Sequence, residues 1–264
     1  MIHWRHGPGL RAAGHRRATD SHPRHRTSLA GLAAGDGPAG GLPHGDRGRP
    51  ARLRVSPGLP DHIPYTAESL ADAVESFCAL LGVREPDVAG NSLGGYIALE
   101  LASRGVVRTA TALSPAGFWS RSELLYCRQM LRALRASARA MSPEQVVRTA
   151  ENPILRALSA GILVAHPSRL EPAALIAATQ ALGAASGFDE TLESFAGLMP
   201  PAPPKSPITI AWGEHDRLLL RRQAVRAGRW SGQRVKLLKG CGHVPMSDDP
   251  ELVARVILGT NSIA

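Results

Sequence analysis

VAGNSLGGYIALELA (residues 88–102) decides how this chain is read. Its first residues end a short apolar run, PDVAG (86–90), suited to a buried strand, and LGGYIALELASRG then shows helical spacing as far as Gly105. Between them, Ser92 stands in a G-x-S-x-G string. Gly90 and Gly94 remove side chains where strand and helix meet, which lets Ser92 project its hydroxyl from a sharp corner. The N–H of Leu93, at the helix start, is placed to face an oxygen on which negative charge develops. A serine in an ordinary strand-to-helix turn is the alternative, and the flanking strand, glycines and helix favour the corner.

A serine hydroxyl is a poor nucleophile until a base takes its proton, so a carboxylate and a histidine should follow it in that order. AWGEHDR (211–217) puts Asp216 just beyond the apolar strand PITIAWG (207–213). KGCGHVPMSDDP (239–250) puts His243 just beyond a second strand, RVKLLKG (234–240). Loops at the carboxyl ends of parallel strands collect on one edge of a sheet. The expected roles are His243 as base and then acid, with Asp216 fixing its tautomer. Glu214 and His215 compete with Asp216, and the last of the three is preferred. Asp248 and Asp249 come after His243 and are expected to cap the helix that follows. His166, in the loop-like HPS (166–168), is read as solvated, His62 shows no partner pattern, and Cys241 is read as a packing residue.

Outward from these motifs, TAESLADAVESFCALLGV (66–83) reads as a helix capped by Thr66 and closed by Gly82, and VVRTATALSP (106–115) as a strand. Residues 117–203 then carry only helical patterns, best at 121–141, 143–160 and 171–184, before a stiff PPAPP (200–204). Strand–helix alternation resumes with RLLLRRQAVRAG (217–228) and closes with PELVARVILG (250–259). The expected fold class is α/β: a mostly parallel sheet with a helical cap inserted after the strand that follows the serine corner. The expected divisions are a leader at 1–54, core at 55–116, cap at 117–203 and core again at 204–264. In the first cap helix, Arg128, Arg132, Arg135 and Arg139 line one face and are read as solvated. Phe118, Trp119 and Val244 are candidates for an apolar substrate pocket, with plain packing the alternative for the two aromatics.

The +9 charge is local. Residues 1–54 hold ten Arg against three Asp, whereas the remainder carries 21 Lys and Arg against 19 Asp and Glu. A basic face on a folded module is therefore not expected, which argues against nucleic acid as partner. Cys78, Cys127 and Cys241 are odd in number and lack metal spacing, so a reduced cytoplasmic setting without metal or cofactor is expected. No secretory signal and no membrane-spanning run is visible.

GNSLGG, GEHD and GCGHVP followed by DDPE, in this order, resemble the α/β-hydrolase fold family, most closely its cap-bearing serine hydrolases. Esterases and the C–C bond hydrolases of aromatic meta-cleavage pathways belong to that group. The resemblance covers about 55–264 and implies Ser92, Asp216 and His243 as triad and the Leu93 N–H as one oxyanion donor. It implies a small apolar ester or ketone as substrate, and the serine sets the chain apart from family members that use aspartate at the corner.

The resemblance also implies strands before residue 55, one ending in a His-Gly turn that supplies a second oxyanion donor. Residues 1–54 do not read as such strands; their Arg, Gly and Pro content suits a disordered or irregular leader. Yet the codons of GRPARLR (48–54), read one nucleotide later, can spell A-D-L-P-G-F-G. Those of SHPRHRTSL (21–29) can spell L-I-H-G-T-G-H-R-W. Both are family-like, in register and in order, so the segment up to about Arg54 reads as an out-of-frame translation, with a basic leader as the alternative. On this reading the corner strand is left with an unpaired edge, and the chain is catalytically impaired. The DNA upstream of the Val55 codon should carry third bases compatible with the shifted peptide, which resequencing checks.

Overall fold

The computed structural model describes residues 59–60 and 62–261, with two strand fragments further upstream. Those fragments are β1 (Ile2–His3) and β2 (Ser28–Leu29). The expectations for the rest of 1–54 lie outside the described residues. Helix α1 (Ala67–Leu80) starts where the Thr66 hydroxyl accepts the Ser69 N–H, and it ends before Gly82, whose φ of 67° suits glycine. Strand β3 (Asp87–Asn91) runs into helix α2 (Leu93–Arg104), and β4 (Thr109–Leu113) follows. Every residue of β4 is buried, as expected of a strand covered on both faces.

The interval between β4 and the next strand is helical. It contains α3 (Arg121–Ala140), α4 (Pro143–Glu151), α5 (Pro153–Ala160), α6 (Pro172–Ala184) and α7 (Phe188–Ser194). The single helix expected over 143–160 is two. Pro153 removes an N–H, and the Asn152 side chain caps α5 by accepting from Ile154 and Leu155. Helix α7 lacked a sequence signal; it follows its cap residue Gly187, where an added Cβ would stand 2.3 Å from the Tyr65 ring.

Alternation then returns with β5 (Ile208–Gly213), α8 (Arg221–Ser231), β6 (Lys236–Leu238), α9 (Pro245–Asp248) and α10 (Pro250–Asn261). The sheet order is β2-β1-β3-β4-β5-β6, with β3 to β6 parallel. Helix α8 starts four residues later than its pattern suggests because the Asp216 carboxylate binds the N–H groups of Leu218 and Leu219. Strand β6 is shorter than expected: it is the edge strand, and Lys236 and Leu237 are exposed. The edge of β3 expected to be unpaired carries one antiparallel pair, His3 with Ala89.

One buried charge ties the helical insertion to α8, and another closes the insertion on itself. Glu123, 1% exposed, closes a capping box with Ser120 at the start of α3 and accepts from Arg222 and Arg226 of α8. Arg135 corrects the solvated-face expectation. It is 5% exposed, donates to the carbonyls of Leu182 and Ala185, and its guanidinium lies 4.5 Å from the Phe188 ring centre. No helix among the described residues is long and apolar enough to cross a membrane.

Burial alone would raise the Glu123 carboxyl, but the Ser120 N–H and the Arg222 and Arg226 guanidinia outweigh it and hold it below its ordinary range. Its contribution is therefore complete above the unfolded-chain value of about 4.3 and lost as pH falls through the lower folded value. Glu123→Gln should cost about 1–3 kcal/mol at neutral pH. The gap in Tm between wild type and variant should close on acidification, which thermal melts across pH measure.

Candidate active site

Strand β3 delivers Ser92 into a conformation that few side chains adopt, φ 58° and ψ −119°. The corner is held from three directions. The Ser92 N–H donates to the Leu113 carbonyl at 2.9 Å, and the Ser92 carbonyl accepts from Tyr96 at 3.0 Å and Ala116 at 3.1 Å. Gly90 is required here, since an added Cβ would stand 2.0 Å from the Gly94 carbonyl oxygen. Such strain persists only where surrounding bonds over-determine it. Leu93 is the first residue of α2, so its N–H has no intrahelical acceptor.

The structure joins the other two candidates directly. Asp216 follows β5, His243 follows β6, and Oδ2 of the first lies 2.9 Å from Nδ1 of the second. Their side chains are 0% and 4% exposed. Asp216 Oδ1 is occupied by the N–H groups of Leu218 at 3.0 Å and Leu219 at 2.8 Å. An ionised carboxylate only accepts, so Nδ1 of His243 must carry the proton, which leaves Nε2 as the basic atom. The two loops are also zipped together: Glu214 and His215 donate their N–H groups to the carbonyls of Leu238 and Cys241.

Ser92 meets this pair through its neighbour. The Asn91 amide donates to the Leu113 carbonyl at 3.1 Å and to the His243 carbonyl at 2.9 Å. The last residue before the corner therefore grips the backbone of the histidine. Among the described residues, no hydrogen bond joins the Ser92 hydroxyl to the His243 ring. Sequence reasoning passed over Asn91, although a polar residue ending an otherwise apolar strand was a usable signal.

The remaining candidates are accounted for by contacts. Glu214 accepts from the Gly240 N–H and lies 3.7 Å from His215, both at the surface. Asp249 caps α10 as expected, accepting from Leu252 at 2.8 Å. Asp248 does not, and instead binds the backbone of Gly242, Ala165 and His166, because the short helix α9 turns it away from α10. Phe118 is 2% exposed and packs on Trp230 with ring centres 5.4 Å apart. Trp119 packs on Phe195 at 5.3 Å, and the half-buried Val244 donates its N–H to Leu163. Cys241 is fully buried; burial first, then nearby carboxylates, push its thiol up to about 11. Cys127 is likewise pushed up to about 12 by burial and by the charge of Asp216, so neither is a ready thiolate. No group of metal-ligating side chains is present among the described residues.

Comparison with known proteins identifies the family. Residues 3–256 match the model of the alpha/beta hydrolase family, and the chain belongs to that family. It is 28% identical to epoxide hydrolase EphH of Mycobacterium tuberculosis over 197 residues, 71% of this chain and 91% of the relative. Among solved structures it resembles a membrane phospholipase A described as a bacterial virulence factor, at 25% identity and TM-score 0.56. That match covers 77% of this chain but only 65% of the phospholipase. The meta-cleavage product hydrolase of Pseudomonas fluorescens IP01 shares the fold, at 15% identity and TM-score 0.57 over 78% of this chain and 75% of that one.

Replacing Asp216 by Asn should turn an amide N–H toward Nδ1, which then accepts, so that His243 takes the tautomer protonated on Nε2. The far-downfield imidazole proton resonance expected of the wild type should then vanish from the NMR spectrum.

Proposed function

We propose that this hydrolase cleaves an ester or related acyl bond through an acyl-enzyme on Ser92. His243 Nε2 takes the hydroxyl proton as Ser92 Oγ bonds to the substrate carbonyl carbon, and the resulting oxyanion faces the Leu93 N–H. Collapse of this intermediate expels an alcohol, which receives the proton from His243. A water, deprotonated in turn by His243, then attacks the acyl carbon and releases a carboxylic acid and free Ser92. Asp216 stays ionised throughout and stabilises the imidazolium. The observation that carries the reading is the buried 2.9 Å contact between Asp216 and His243, tied by Asn91 to a strained serine.

Elementary chemistry separates this from the epoxide opening in the name of the mycobacterial relative. A serine alkoxide opening an epoxide would leave a stable alkyl ether on the enzyme, whereas acyl transfer leaves an ester that water can cleave. The helices over 117–203 serve in this reading as a cap above the site, with Phe118, Trp119 and Val244 near its apolar floor, and the substrate is a small apolar ester. Three free, buried thiols fit a reducing, cytoplasmic setting. Leu93 is the sole proposed oxyanion donor among the described residues. Loss of one donor costs about 10²–10³ in rate, so modest turnover is expected.

A fluorophosphonate should label Ser92 in the full chain, and p-nitrophenyl esters should be hydrolysed. Ser92→Ala and His243→Ala should each reduce kcat by about 10⁴-fold or more. Turnover of a meta-cleavage dienoate without any ester would assign the site to C–C cleavage, and unlabelled Ser92 in folded protein would mark it as silent.

A further inference from the structure

Asp248 lies five residues after His243 and faces backwards from its own helix. Its Oδ2 accepts the Gly242 N–H at 2.8 Å and the Ala165 N–H at 3.0 Å, and its Oδ1 accepts the His166 N–H at 2.8 Å. Two of these amides belong to the helical insertion. The third belongs to the residue immediately before the histidine. A second tie runs alongside, from the Val244 N–H to the Leu163 carbonyl at 2.8 Å. The two backbones are in contact, because a Cβ on Gly242 would stand 2.8 Å from the Ala165 nitrogen and 2.9 Å from the Leu163 carbonyl oxygen. His243 is thus bracketed on both sides by bonds to residues 163–166.

This is a different task from helix capping, which the adjacent Asp249 performs for α10. Three N–H donors from two separate chain segments converge on one side chain. Only a carboxylate offers two accepting oxygens with no donor of its own to confront them.

We propose that Asp248 is a positioning residue that staples the helical insertion to the loop carrying the His243 base, so that seating the insertion and aiming the base are one event. The inference rests on His243 acting as the base. Asp248 touches no reacting atom and works through the Gly242 amide. Misplacement of a catalytic group by about 1 Å costs on the order of 10² in rate.

The test uses the full chain with p-nitrophenyl acetate and a fluorophosphonate. Asp248→Asn sets an amide N–H against these donors and should lower kcat by about 10–100-fold with KM changed less than about twofold. Labelling of Ser92 should slow by the same factor. Asp249→Ala, the control that removes only a cap, should lower Tm at least as much while keeping kcat within about twofold of wild type. Wild-type rates in Asp248→Asn, with His243→Ala inactive, would overturn the inference alone, as would parallel losses of kcat and Tm in both aspartate variants. Full activity in His243→Ala would overturn the base assignment and this inference with it. Amide hydrogen exchange on the wild type gives a measurement independent of any variant's folding. The amides of Gly242, Ala165 and His166 should exchange together, and fast exchange at 165–166 beside a protected Gly242 would overturn the staple.

Discussion

A carboxylate with no exposed side-chain surface can stay ionised only if donors surround it, and this molecule is arranged to supply them to Asp216. One donor is the His243 ring, and two are backbone amides of the following turn. Meeting that demand fixes much else. It delays the start of α8, pins Leu218 and Leu219 into the core, and fixes which nitrogen of His243 is basic. The ends of β5 and β6 must lie against each other for the contact to form, and the backbone bonds between their loops hold them there.

The serine corner is a second constraint joined to the first. Its dihedral strain is maintained by bonds to β4 and by a glycine packed against the following helix. Asn91 couples the corner to the histidine loop with one side chain. The site thus has a common frame: strand ends β3, β5 and β6, cross-linked by backbone and amide hydrogen bonds rather than by long flexible side chains. Such a frame loses little entropy when it binds, which is what pre-organised chemistry requires.

The helical insertion is held at two places by acidic side chains. Glu123 anchors its first helix to two arginines of α8, and Asp248 grips its middle at residues 165 and 166, between α5 and α6. Arg135 closes the far side from within, bonded to carbonyls of α6 and its following turn. Arg135 and Asp248 are charged residues that the sequence assigns to solvent and to a cap. Periodicity reports which face of an element is apolar; it is silent on whether a polar face meets water or the backbone of another segment.

The features legible before folding are therefore local. The strand–corner–helix around Ser92, the strand ends carrying Asp216 and His243, the Thr66 cap and the helical character of 121–184 follow from spacing, glycine placement and capping chemistry, all readable over a few residues. Tertiary structure decided which acidic residue served which purpose. Asp216, Asp248 and Asp249 are one residue type within 34 positions, yet one orients an imidazole, one bridges two segments and one caps a helix. Their partners come from loops that only folding brings within 3 Å, and a hydrogen bond across such a distance in sequence leaves no mark on either side's pattern.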